Sequence, residues 1–431
     1  MKKLHVVSLG CSKNLVDSEV MLGRLQDYEI TQDLGSADVI IINTCGFIEA
    51  AKKESLGHIF EALEGRKKGA LLVASGCLVA RYAKEIKEMI PEIDILTGVS
   101  DYDKIDTMIK DKRGVINDSV YLQKDEKRII TGSQIHAYVK ISEGCNQQCS
   151  FCAIPNFKGK LQSRSIDSIL REIESLAKDG YKDISFIAQD TSSFLRDKGV
   201  NDGLLKLINA IDAQGAIKSA RILYLYPSST DIELLDGIAN SQIFQNYYDM
   251  PIQHSAKSVL SHMQRSHKDM IKLLEYMKKI PNSFVRSSVI VGYPTETEDD
   301  FNALCEFLES FRFDRLNVFE YSKEEDTKAG KLEEIPRKIR TQRINKVKKI
   351  LAKIDKQHFS AMLDTHIPCI IEGKSTLSPH FYSARDIRWA KDIDGEILIN
   401  DGEYSGPGYY NVHITQTQDN ILVGNIKDRF E

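Results

Sequence analysis

The chain has 431 residues, 42% hydrophobic and 28% charged, with a formal net charge of −4. That length exceeds one ordinary hydrophobic core and implies two to four domains. The near-balance of charge excludes a whole-chain affinity for nucleic acid, so any such contact must come from a local patch. The opening MKKLHVVSLG lacks the long apolar run of a signal peptide. No stretch approaches the ~18 apolar residues of a membrane span, so no membrane contact and a cytoplasmic location are expected. Eight cysteines in such a reducing compartment point to metal ligands or free thiols rather than disulfides.

Apolar runs at 4–10, 38–44, 70–76 and 93–99 alternate with helix-like segments near 16–27, 47–64 and 80–90. Continuous Val/Ile-rich runs between helices predict a parallel sheet buried on both faces. Residues 111–130 are polar and read as a linker. From about 135 the alternation lengthens, with strands expected at 135–142, 183–188, 220–226, 246–252, 284–291 and 315–321. Eight such units would complete a TIM barrel, so six predict a partial one with an open side. A helix is expected over 332–357; within 337–356 it carries nine Lys/Arg against the single acid Asp355. A solvated face and an RNA-facing patch both fit that count. From 364 short strands separated by Gly and Asp turns predict a small antiparallel barrel. The expected fold class is α/β: an N-terminal parallel α/β domain, a partial (βα)6 TIM-like barrel and a C-terminal small antiparallel β-barrel.

Two cysteine triplets stand out. Cys11, Cys45 and Cys77 each follow directly on a predicted strand, in HVVSLGC, IIINTC and LVASGC. Strand ends of a parallel sheet share one edge, where open α/β folds bind ligands, so these three can converge on a metal group. Cys145, Cys149 and Cys152 lie within one loop, GCNQQCSFC, after the first barrel strand. A closed zinc site takes four ligands; the fourth is missing nearby, and His136 and His254 require long-range convergence. Three thiolates on a four-iron cluster instead leave one iron open to a small molecule.

The CxxxCxxC spacing is that of the radical S-adenosylmethionine (SAM) superfamily. Two triplets in this order, followed by a small β-barrel, resemble its methylthiotransferase family. The resemblance covers almost the whole chain: a methylthiotransferase N-terminal domain at 1–125, a radical SAM core at 131–360 and a TRAM domain at 364–431. It implies two [4Fe-4S] clusters, on Cys11, Cys45 and Cys77 and on Cys145, Cys149 and Cys152, with SAM as methyl donor and radical source. Phe151 resembles the aromatic beside the SAM adenine. The phrases SLGCSKNLVDSE, NTCGFIEAAKKES, DMPIQH and VGYPTETEDDF look most like the branch that modifies an aspartate β-carbon of small-subunit ribosomal protein twelve. That branch implies the ribosomal protein as partner, free or within the ribosomal subunit, with an electron donor and possible contact to ribosomal RNA. The acidic terminal segment, six Lys/Arg against ten Asp/Glu over 366–431, suits a basic protein better than tRNA phosphates. Lys158-Gly159 departs from the family's usual Arg-Gly, and Asp326 stands where Gly is usual.

Gln189, Asp190 and Arg286, near barrel-strand ends, are candidate SAM contacts, each with a structural hydrogen-bonding role as the alternative. Gln253 and His254 end the fourth strand near a possible substrate approach, with a core histidine as the default. Cys305 and Cys369 read as core. No general acid or base is assigned. Two other readings stay open: the same chemistry on a modified tRNA adenosine, which the basic helix keeps in play, and a non-catalytic iron–sulfur protein that binds RNA and senses redox state.

Overall fold

A computed structural model of the chain describes residues 1–117, 119, 121–125, 127–418 and 421–430. Strands β1 (Lys2–Ser8), β2 (Tyr28–Ile30), β3 (Val39–Thr44), β4 (Leu71–Gly76) and β5 (Ile95–Leu96) form a first sheet in the order β2-β1-β3-β4-β5. All its pairings are parallel. Helices α1 (Ser12–Arg24), α2 (Glu49–Gly65), α3 (Cys77–Met89) and α4 (Ile105–Asp111) cover it. β3 reads VIIINT and is buried throughout. Its Val39 and Ile41 pack with residues of α1 and α4, and Ile40 and Ile42 with residues of α2 and α3. This is why its sequence is an unbroken apolar run rather than an alternation. β2, with three residues that are mostly exposed, gives no such run.

The second sheet holds β6 (His136–Lys140), β9 (Asp183–Ile187), β10 (Ser219–Ile222), β11 (Phe244–Asp249), β12 (Phe284–Val291) and β13 (Arg315–Glu320). Between the first two of these strands lies a short ribbon, β7 (Ser142–Glu143) with β8 (Gln162–Ser163). The six strands run parallel in the order β13-β12-β11-β10-β9-β6 and leave the barrel open, as the count of units implies. Helices α5 (Ile154–Lys158), α6 (Ile166–Lys178), α7 (Gly203–Gln214), α8 (Ile232–Asn240), α9 (Lys257–His262), α10 (Met270–Lys279), α11 (Glu298–Phe311) and α12 (Arg337–Met362) complete this part. Ala137, Val139, Ile184, Phe186, Ala220 and Ile222 pack in one core with residues of these helices. The alternate positions face the opposite way, and they carry the buried polar side chains His136, Lys140, Asp183, Ser185, Ser219 and Arg221. The inner wall is therefore polar. α1 lies beside the edge strand β6, and its Val16 shares a core with Tyr138, Ile187 and Leu223. A helix of the first unit thus covers the open side of the second. No helix among the described residues is long and apolar enough to cross a membrane.

Strands β14 (His366–Lys374), β15 (Tyr382–Asp386), β16 (Ile397–Asp401), β17 (Gly408–Gln418) and β18 (Ile421–Phe430) close a five-stranded barrel. It docks where the strands of the second sheet begin. Asp183, first residue of β9, is gripped by Arg221 at 2.7 and 2.9 Å and also pairs with Arg385 of β15. Tyr409 Oη lies 2.9 Å from Ser219 Oγ, and Tyr138 Oη donates to the Lys391 carbonyl at 2.8 Å. Residues 118, 120 and 126 of the expected linker lie outside the described residues. The linker's neighbours are packed in place, with the Ile129 N–H donating to the Glu19 carbonyl at 3.2 Å.

Burial disfavours the Asp183 charge, but Arg221 and Arg385 outweigh it and hold the carboxyl well below its ordinary range. The stabilisation is therefore complete above about pH 3.8 and is lost only as pH falls further. Asp183→Ala should leave the buried Arg221 guanidinium without a carboxylate and Arg385 with only Glu372 at 3.5 Å, and cost about 3–5 kcal/mol, read as a lower denaturation midpoint at neutral pH.

Candidate functional site

Three neighbouring strands of the first sheet deliver the first triplet. Cys11 caps α1 two residues beyond Leu9, Cys45 follows β3, and Cys77 opens α3 directly after β4. Glycines bring the strand ends into contact. A Cβ on Gly10, where φ is +87°, would lie 2.6 Å from Cys45 Cβ and 2.7 Å from its Sγ. On Gly76, where φ is +96°, it would lie 2.5 Å from the Thr44 carbonyl oxygen. No other residue type fits at such separations. Buried Asn14 ties the ends together: its amide donates to the Leu9 and Thr44 carbonyls at 3.0 and 2.9 Å, and its Oδ1 lies 3.6 Å from Cys77 Sγ. Ser55 of α2 fixes Cys45 through both backbone groups, at 3.0 and 2.9 Å.

The second triplet sits in the loop that leaves β7, at the end of the barrel where the strands finish. The Cys145 N–H donates to the Gly159 carbonyl at 3.1 Å, and the Cys152 N–H to the Cys149 carbonyl at 3.1 Å. Ser150 anchors the loop from below, its N–H on the Met263 carbonyl at 3.0 Å and its hydroxyl 2.8 Å from Tyr293 Oη. Arg265 Nη1 donates to Cys149 Sγ at 3.4 Å, and its guanidinium stacks 4.2 Å from the Tyr226 ring centre. Tyr226 Oη is 3.5 Å from the same sulfur. Asp190 accepts from Gln147 of the loop at 2.8 Å and from Ser192 and Ser193.

Burial pushes the Cys77, Cys145 and Cys152 thiols up to about 12, and raises Cys45 as well. Such thiols are protonated at neutral pH and are poor nucleophiles; a metal must displace the proton. Cys11 and Cys45 are charge neighbours of Cys77, and Cys145 and Cys149 of Cys152. Yet among the described residues no three His, Cys, Asp or Glu side chains converge tightly enough for one ion. Thiols grouped in threes fit the separate corners of an iron–sulfur cluster.

A buried cluster of four charges joins the two triplets. Lys140, at the end of β6, pairs with Asp17 of α1 and with Glu143 at 2.6 Å. Lys158 of α5 lies 3.4 Å from Asp17 and 3.5 Å from Glu143. No side chain of the four is more than 5% exposed. Glu143 is two residues before Cys145, and the Lys158 charge lowers the Cys77 pKa against its burial. An ammonium reaches both carboxylates here, which accounts for a lysine at 158.

The side chains expected from sequence fall in different places. Gln189 bonds Glu143, with its Oε1 buried and unpartnered. Phe151 is half-buried against the barrel core. Arg286 is held inside the barrel by Asp249 at 2.7 Å and by Asp394 of the terminal segment at 3.2 Å, and it touches none of the six thiols. His254 is fully buried; its Nδ1 accepts from the Ala256 N–H at 2.9 Å and its Nε2 faces Glu296 at 3.8 Å. Gln253 carries a positive φ of 69° and bonds through its backbone to Ser288 and Ile290. Cys305 and Cys369 are buried, and Asp326 lies on an exposed turn, its carbonyl accepting from Asn156 at 2.9 Å. Sequence reasoning passed over Asp17, Lys140, Glu143, Tyr226 and Arg265. A charge on the apolar face of α1 and two tyrosines alternating past β10 were the available signals.

Residues 139–308 match the family model of the radical SAM superfamily, and residues 3–98 match the uncharacterized protein family UPF0004. The chain is 57% identical over 435 residues to the ribosomal protein uS12 methylthiotransferase RimO of Helicobacter pylori strain Shi470, covering 100% of this chain and 99% of that one. With the RimO of Wolinella succinogenes the identity is 55% over 436 residues, at the same coverage. Among solved structures, the radical SAM methyltransferase TsrM from Kitasatospora setae, with cobalamin and a [4Fe-4S] cluster bound, superposes with a TM-score of 0.56 at 15% identity, covering 77% of each chain.

Asp17→Asn should leave Lys140 and Lys158 sharing one carboxylate. The expected cost is about 3–5 kcal/mol, measured as a lowered midpoint in urea on the metal-free protein.

Proposed function

The chain belongs to the ribosomal protein uS12 methylthiotransferase family of radical SAM enzymes, and from that membership we propose that it adds a methylthio group to the β-carbon of an aspartate in uS12. The observation that supports this most directly is the pairing of two thiol triplets, each one ligand short of a closed cluster, across a single buried charge network. In this reading residues 1–125 form the methylthiotransferase domain, 131–360 the radical SAM core and 364–431 a TRAM domain. Cys11, Cys45 and Cys77 hold one [4Fe-4S] cluster, and Cys145, Cys149 and Cys152 the other. With SAM, these groups supply the radical, the sulfur and the methyl group.

The protein's own side chains ligate, orient and exclude water. Gly10 and Gly76 let the first three thiols approach one another. Arg265 and Tyr226 bracket Cys149, and Asp190 fixes the loop through Gln147. Gln189 presents a free carbonyl oxygen beside Glu143, suited to a donor group on SAM, and Phe151 offers an aromatic face at the same loop. The reading places the enzyme in the cytoplasm with its ribosomal substrate and calls for an external electron donor. α12, whose Lys348, Lys349 and Lys353 are exposed, offers a face to ribosomal RNA phosphates.

Reconstituted protein should carry about eight irons, and Cys45→Ala and Cys145→Ala about four each. Gly10→Ala, whose methyl group would strike Cys45, should lower the iron count as Cys45→Ala does. Given SAM and a reductant, and offered uS12 and tRNA together, the enzyme should add a methylthio group to an aspartate of uS12, read by mass spectrometry. Modification of tRNA alone would overturn the assignment.

A further inference from the structure

Lys13 lies two residues after Cys11, in the first turn of α1, and is half-buried. Its ammonium rests 3.7 Å from the centre of the Tyr224 ring. Tyr224 stands just past the end of β10, with a φ of +65° and its N–H donating to Asp249 at 3.0 Å. A positive φ is strained for a bulky residue, and here it sets the ring beneath Lys13. Two residues on, Tyr226 reaches Cys149. The ammonium is thus positioned from the first triplet and seated on the wall of the second.

Its ammonium also stands outside the direct ion pairs that occupy the other buried cations here. Lys140 and Lys158 are neutralised by Asp17 and Glu143, and Arg286 by Asp249 and Asp394. Arg265 is spent on Cys149 and on the Pro251 carbonyl at 2.6 Å. Lys13 is in none of these pairs: its ammonium rests on the ring and bonds the hydroxyl of Tyr224, with Cys11 and Glu143 as the neighbouring acidic groups. A carbon that receives its methylthio group from the first triplet and gives up hydrogen on the side of the second must lie between them. In the proposed substrate that carbon is one bond from a carboxylate. A carboxylate brought there without a cation would be strongly disfavoured, the more so beside six thiolates.

We propose that the Lys13 ammonium, supported on the Tyr224 ring, binds the carboxylate of the target aspartate and makes the enzyme select aspartate over asparagine. This rests on the uS12 reading. An ammonium–carboxylate hydrogen bond in a partly desolvated site amounts to about a tenfold to hundredfold discrimination.

The test measures affinity of the cluster-loaded enzyme for uS12 and for uS12 with the target aspartate changed to asparagine. Wild type should bind the aspartate form about tenfold to a hundredfold more tightly. Lys13→Met should bring the two within about twofold, and Lys13→Arg should restore most of the gap. Equal affinities with wild-type enzyme overturn the proposal without any enzyme variant. A Lys13→Met enzyme that weakens both forms equally also overturns it, assigning Lys13 to the fold or the cluster instead. A wild-type enzyme that neither binds nor modifies uS12 overturns the parent reading as well.

Discussion

The arrangement of the molecule depends on burying four charges in one place. Asp17, Lys140, Glu143 and Lys158 come from α1, β6, β7 and α5, two cations alternating with two anions. Each alone would be expensive to dehydrate; together they are neutral and mutually satisfied. Such a cluster adds little net stability over an apolar core. It does dictate geometry, because shifting α1 along the barrel by a turn would strand Asp17 and leave two lysines on one carboxylate. At one end Lys158 acts electrostatically on Cys77, and at the other Glu143 leads along the chain into Cys145. The separation of the two thiol groups is therefore set by the least negotiable contact between the two sheets.

The thiols follow from the same logic at smaller scale. Burial keeps Cys45, Cys77, Cys145 and Cys152 protonated and unreactive until a metal replaces the proton. Glycine at 10 and 76 lets neighbouring strand ends close up, and Asn14 satisfies the carbonyls thereby exposed. The first site is assembled largely from backbone, whereas the second is shaped by side chains reaching in from successive barrel strands: Asp190, Tyr226 and Arg265. That difference explains why the first triplet is scattered over 67 positions, from Cys11 to Cys77, and the second is compact.

Much of this is legible in the sequence. The six barrel strands read as apolar runs spaced by amphipathic helices, and the cysteines of the first sheet each stand where such a run stops. β2 escapes notice because a three-residue exposed edge strand has no pattern to show. β15, YSARD, escapes because its two buried charges break the apolar pattern: Asp386 is satisfied by Arg388 close by, and Arg385 by the distant Asp183. The same holds for the polar inner wall. Asp183, Arg221 and Arg385 look like ordinary surface charges until the fold brings them together across as many as 202 positions. Arg286 shows the converse: a charge in a barrel strand suggests ligand contact, yet it lies near the start of β12 and is held by two carboxylates, one from the terminal segment. Local pattern reports which face is buried, not what a buried charge is paired with.

The Asp17–Lys140 contact spans 123 positions, and that bears on how the chain is made. α1 leaves the ribosome long before β6 exists. Until β6 emerges, Asp17 must stay hydrated, since a lone carboxylate cannot be buried at acceptable cost. The first sheet can form early, because its own apolar faces are local, but the face of α1 that bears Asp17 has to wait. Completion of the first cysteine site in its final setting is thus tied to synthesis of the second. A chain cut short before residue 140 would hold three thiols on an unfinished support, with a charge facing water where its partner should be.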